Sequence, residues 1–236
     1  IKARADAARD KCKGLKHVLV KKNLEDDIEV PWSDATDKDF DTLVDAQPGT
    51  RETTICDAED RCMIIFTSGT TGRPKGTVHT HAGCLAQMGK ELCYNFDVKP
   101  RDRFFWFTDI GWMMGPWMLI GVNALGGAAT IYDGSPDQPD PGRVWAIVER
   151  HKLTQLGISP TLIRLLMRSD VKYTKQHDVS SLRCMGSTGE PWDPVSYEWF
   201  FEHIGGKERP IINISGGTEI VGCHLAPLPI HPLKPC

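Results

Sequence analysis

The run Thr67-Ser68-Gly69-Thr70-Thr71-Gly72-Arg73-Pro74-Lys75-Gly76 has the composition of an anion-binding loop. Its glycines let the backbone take positive φ and approach a ligand closely. Thr67, Ser68, Thr70 and Thr71 add hydroxyl donors, and Arg73 and Lys75 add positive charge. Placed after a strand, such a loop can wrap its N–H groups around a phosphate. It is not the P-loop of the NTPases, which needs GxxxxGK[ST] opening directly into a helix. Here Pro74 precedes Lys75, and Gly76-Thr77-Val78 reads as extended chain. The plainer alternative, a glycine-rich surface turn, does not call for so many hydroxyls and cations in one run.

Other segments carry candidate chemistry. Thr218-Glu219 follows the apolar run Ile211–Ile214 through Ser215, Gly216 and Gly217. A carboxylate at the carboxyl end of a strand suits Mg²⁺, which takes oxygen ligands and shares them with phosphates; a solvated turn is the bland alternative. Gly189-Glu190-Pro191 follows the apolar run Leu182–Met185, again at an expected strand end. Pro191 and Pro194 could equally just start the next helix, and the two readings are compatible. Trp112 and the run Met113-Met114-Gly115-Pro116-Trp117 can line an apolar pocket or fill core. His79, His81 and Cys84 are zinc-ligating types, but no second ligand pair stands at finger-like spacing, so strand-end and helix-cap roles are expected. Glu25-Asp26-Asp27 and Asp37–Asp41 read as solvated acidic surface.

The elements that must hold these residues follow from the apolar pattern. Strands are expected at Met63–Thr67, Phe104–Phe107, Ala128–Tyr132, Gln155–Ile158, Leu182–Met185 and Ile211–Ile214. Helices are expected at His81–Tyr94, Gly142–His151, Thr161–Met167 and Pro194–Ile204. Cys62–Thr67 is apolar without alternation and reads as a buried parallel strand. Strands alternating with helices give an α/β fold, a parallel-rich sheet with flanking helices. The first sixty residues are more polar and uneven, with a helix expected at Lys2–Lys13 and a short apolar run at His17–Val20. A division into 1–60 and 61–236 follows.

The composition is that of a globular chain, 40% hydrophobic and 25% charged over 236 residues. A net charge of −3 gives no basic footprint for nucleic acid. No apolar run approaches the ~20 residues of a spanning helix. The eight cysteines are scattered without a CxxC pair, which points to reduced thiols and a cytoplasmic location.

TSGTTGRPKG resembles the signature loop of the adenylate-forming (AMP-binding) superfamily: acyl-CoA synthetases, luciferases and peptide-synthetase adenylation domains. Gly186-Ser187-Thr188-Gly189-Glu190-Pro191 is similar to its adenine-contacting segment, and Ser215-Gly216-Gly217-Thr218-Glu219 to its Thr-Glu motif. Thr108-Asp109-Ile110-Gly111-Trp112 resembles the acyl-pocket segment of the acetyl-CoA synthetase-like branch. The resemblance implies the large domain of an acyl-CoA synthetase using ATP, Mg²⁺ and coenzyme A. It implies Glu219 as the Mg²⁺ ligand, Thr218 as a donor to the α-phosphate, and Lys75 with the loop amides on the leaving pyrophosphate. It further implies that a ribose-binding aspartate and a catalytic lysine lie beyond this sequence, so that this chain alone is expected to be inactive. Acetate-specific relatives carry a tryptophan where Gly216 stands, so an acid longer than acetate is expected. A domain that loads a carrier protein, or a pseudo-enzyme that only binds nucleotide, remain as alternatives.

Overall fold

A computed structural model describes residues 1–22, 29–68 and 72–235. Gly69, Thr70 and Thr71 of the loop, the acidic Glu25-Asp26-Asp27 and Cys236 lie outside the described residues. The chain forms two compact units, Ile1–Ile55 and Cys56–Cys236.

In the first unit, helix α1 (Lys2–Arg9) is followed by β1 (Val18–Val20), β2 (Asp37–Asp39) and α2 (Phe40–Asp45). The expected helix to Lys13 stops at Arg9, and α1 buries no side chain. Asp37 corrects the reading of Asp37–Asp41 as solvated: it is 2% exposed. Its carboxylate accepts from Lys2 Nζ at 2.7 Å and from the Ser33 amide at 2.8 Å. The Lys2 ammonium holds it below the usual carboxylate range.

The second unit opens with β3 (Arg61–Thr67) and β4 (Lys75–Thr80), then α3 (His81–Tyr94), β5 (Arg103–Trp106), α4 (Met114–Ala124) and β6 (Ala128–Thr130). It continues through α5 (Arg143–His151), β7 (Gln155–Gly157), α6 (Pro160–Leu166), α7 (Lys172–Lys175), β8 (Cys184–Ser187) and α8 (Pro194–His203). It closes with β9 (Ile211–Asn213), β10 (Ser215–Gly217), a 3₁₀ turn (Thr218–Ile220) and β11 (Gly222–Leu225).

The centre is a parallel sheet in the order β6-β5-β7-β8-β9. Successive residues point to opposite faces, so Phe105, Met185 and Ile211 join the core under α5, α6 and α8. Phe104, Trp106, Cys184 and Ile212 join the other core, under α3 and α4. Burial on both faces is why these strands read as unbroken apolar runs. Trp106 passes over Gly157 and Gly186, paired neighbours in β7 and β8. A Cβ would lie 2.0 Å from the indole at Gly157 and 2.9 Å from it at Gly186. The glycine pair is the slot that lets this ring lie flat on the sheet.

The expectation of a buried parallel strand at Cys62–Thr67 is overturned. β3 pairs antiparallel with β4, with Thr67 opposite Lys75 and Phe66 opposite Gly76. Ile64 and Phe66 stay 56% and 69% exposed. An apolar run without alternation could not be told from a central strand by pattern alone.

Candidate active site

The glycine-rich run is the connection of the β3–β4 hairpin. Thr67 and Lys75 close its two ends as a register pair, with Ser68, Gly72, Arg73 and Pro74 exposed between them. Gly72 has φ +79°, a conformation costly for any side chain. Lys75 is exposed at the start of β4, and β4 runs beside the Thr218–Ile220 turn. Strand β4 and the Thr218–Ile220 turn therefore adjoin, although about 140 residues separate Lys75 from Thr218 in the chain, as the parallel crossovers of an α/β sheet allow.

The Gly189-Glu190-Pro191 segment leaves the carboxyl end of β8. The Ile214 amide donates to the Ser187 carbonyl at 2.8 Å, and the Thr188 hydroxyl donates to the Ile214 carbonyl at 2.7 Å. The Glu190 carboxylate accepts from the Thr161 amide at 2.8 Å and is paired with Arg164, which also reaches Asp193 at 3.2 Å. Burial pushes Glu190 upward, but hydrogen bonds from Thr161 and Arg164 outweigh it and leave the carboxyl below its usual range. The Glu190 side chain is thus committed to the amino end of α6. What the segment offers a ligand is backbone, with Gly189 at φ +99° and open space where a Cβ would stand. Asp193 caps α8 and Pro194 begins it, so the helix-start reading holds for Pro194, whereas Pro191 lies before the cap.

The Thr-Glu segment is more elaborate than a strand end. Ser215, Gly216 and Gly217 form β10, which pairs antiparallel with β11, Gly216 facing Cys223 and Gly217 facing Gly222. A Cβ at Gly216 would sit 2.0 Å from the Gly222 carbonyl oxygen, so backbone fills the direction in which any side chain would point. Thr218 is half-buried, and Glu219 is exposed with no hydrogen bond or ion pair to the described residues. Among the described residues no group of His, Cys, Asp or Glu is large enough to hold a metal alone. An exposed carboxylate without a partner among the described residues nevertheless fits Mg²⁺, which can draw most of its ligands from phosphate and water.

The aromatic segment divides. Trp112 is 72% exposed, whereas Met113 and Trp117 belong to the core. A cavity of about 230 Å³ opens at the ends of β5 and β6, lined by Phe107, Thr108, Asp109 and Tyr132 among others. His79 is buried on β4, Thr80 caps α3 and His81 begins it, the strand-end and helix-cap roles expected. None of the described cysteines forms a disulfide. No helix among the described residues is long and apolar enough to cross a membrane.

Sequence reasoning overlooked Glu91. It lies in α3 among Cys84, Met88 and Leu92 and is fully buried. The legible signal was a carboxylate on the apolar face of an amphipathic helix.

Comparison with known proteins bears on the family and the fold. The chain is 39% identical over 229 residues to the acetyl-coenzyme A synthetase of Coprinopsis cinerea, covering 97% of this chain and 34% of that protein. It is 37% identical to the acetyl-coenzyme A synthetase of Gemmatimonas aurantiaca, over 97% of this chain and 36% of the relative. It superposes on the acetoacetyl-CoA synthetase from Streptomyces lividans with a TM-score of 0.83 and 29% identity, covering 96% of this chain and 34% of that one. The chain thus spans about a third of the length of the relatives it matches. The family model described as AMP-binding enzyme matches residues 1–235, and the chain belongs to that family.

Proposed function

We propose that the complete protein activates a small carboxylic acid with ATP and passes the acyl group to coenzyme A. The observation that carries this reading is the placement of Lys75 on a strand that runs beside the turn bearing Thr218 and Glu219, the latter without a partner among the described residues. In the first step a carboxylate oxygen of the acid attacks the α-phosphorus and the bond to the bridging oxygen of pyrophosphate breaks. In the second, the thiol sulfur of coenzyme A attacks the acyl carbonyl and AMP leaves, the thiol proton passing to solvent.

The protein's part is positioning and charge stabilisation. Lys75 and the hairpin-loop amides meet the β- and γ-phosphates, and Thr218 donates to the α-phosphate. Glu219 would hold Mg²⁺, which when bound neutralises phosphate charge. The Gly189 backbone receives the adenine, and Trp112 faces the acid. The names of the relatives favour coenzyme A over a carrier protein as acceptor.

Acid-dependent exchange of labelled pyrophosphate into ATP by the full-length protein tests the first step. Lys75→Ala and Glu219→Gln should each lower it about 10²-fold, as when one preorganised charge contact is removed from such a site. Exchange at the wild-type rate in both variants would overturn the assignment. Acid length is a separate question. A preference for acids longer than acetate rests on the resemblance alone, since the Gly222 carbonyl and not open space stands in the Cβ direction of Gly216; where a longer chain does find apolar room, each further buried CH₂ adds ~0.8 kcal/mol. Rates on straight-chain acids from two to eight carbons decide it, and a sharp acetate optimum would refute it.

A further inference from the structure

We propose that Glu91 is a positioning residue for this reaction, one buried carboxylate that holds the Thr218–Glu219 turn and the Trp112 segment in place together. The proposal rests on the acid-activating reading above. Glu91 is 0% exposed on α3. One oxygen, Oε2, accepts from the indole Nε1 of Trp117 at 2.8 Å. The other, Oε1, accepts from the Cys223 amide at 2.7 Å and from the Gln87 side chain. The nearest cation is Lys90 Nζ at 3.8 Å, on a half-exposed side chain. Burying a carboxylate costs far more than burying a leucine of similar size, so packing alone does not account for it.

The two ends of the network lead to two walls of the site. Cys223 faces Gly216 and Gly222 faces Gly217 across the β10–β11 hairpin, so the closing turn between Gly217 and Gly222 carries Thr218 and Glu219. Fixing the Cys223 amide fixes that turn. A Cβ at Gly222 would come within 2.4 Å of Glu91 Oε1, which shows how closely β11 sits on the carboxylate. Trp117 stands in the first turn of α4, which begins at Met114 just after Trp112 and Met113. Its indole also packs edge-on against Phe96, Phe104 and Trp106, so the donor is held rigidly. All three donors are N–H groups, and only a carboxylate offers them acceptors on both atoms. An amide at this position turns an NH₂ toward at least one donor and breaks that arm.

The test compares wild-type full-length protein with Glu91→Gln in acid-dependent ATP–pyrophosphate exchange, well below the melting temperature of either. A displaced turn should lower kcat about ten- to a hundred-fold while KM for ATP moves little, since binding contacts persist and alignment is lost. A wild-type kcat, or a loss that merely tracks the unfolded fraction, overturns the proposal. Should Glu91→Gln fail to fold, Trp117→Phe keeps the ring and removes one donor. Its kcat should fall about five-fold, the effect of one hydrogen bond, and an unchanged kcat overturns the proposal equally. Absence of acid-dependent exchange in the wild-type protein sinks the reaction assignment itself, and the proposal with it.

Discussion

The Thr188 hydroxyl donates a 2.7 Å hydrogen bond to the Ile214 carbonyl, joining the loop after β8 to the chain that enters the Thr-Glu hairpin. The two segments are thereby locked to each other one residue beyond their strands. Thr188→Val keeps the shape and leaves that carbonyl without this donor. Unfolding by urea should show a loss of about 1 kcal/mol. An unchanged midpoint would mean that the bond contributes nothing in solution.

Arg164 bridges Glu190 and Asp193, and Asp193 also accepts from the Ser196 amide at 2.9 Å. Hydrogen bonds from Ser196, then the Arg164 guanidinium, draw the Asp193 carboxyl down to about 2. A depressed carboxylate contributes stability above its unfolded pKa, near 4, which is lost as pH falls through the folded value. The gap in melting temperature between wild type and Asp193→Ala should hold at pH 7, shrink below pH 4 and close near pH 2. A gap independent of pH would show that charge is not its source.

Gly216 has no room for a side chain, since the obstacle is the Gly222 carbonyl and not a movable side chain. Gly216→Ala should cost about 1–3 kcal/mol by overpacking, and should lower exchange with every acid alike. A variant that keeps wild-type stability would show that the hairpin opens freely at this point. Because the glycine is closed to any substituent, an indole cannot be added here as a simple change of acid specificity.

Gly157→Ala drives a methyl group into the Trp106 ring. The expected loss is about 1–3 kcal/mol. Pairing it with Trp106→Leu should recover part of that loss, because the two residues share one slot and their effects are not additive. Strict additivity in the double variant, measured by urea unfolding, would refute the contact.

The sequence by itself determined the α/β class and singled out the residues proposed for the chemistry. The loop from Thr67 to Gly76, the Gly189-Glu190-Pro191 segment and Thr218-Glu219 are local patterns, legible as candidates from their residue types. Helix α3 was legible from His81 to Tyr94 because its apolar spacing and Thr80 cap are local. Tertiary structure alone decided which partners those residues meet. Cys62–Thr67 pairs with β4 in a half-exposed hairpin, a choice between neighbours that an apolar run cannot encode. Glu190 spends its charge on Thr161 and Arg164, and Glu91 spends its own on Trp117 and Cys223. Those contacts span 26 residues or more, and their geometry exists only once the sheet has brought the segments together.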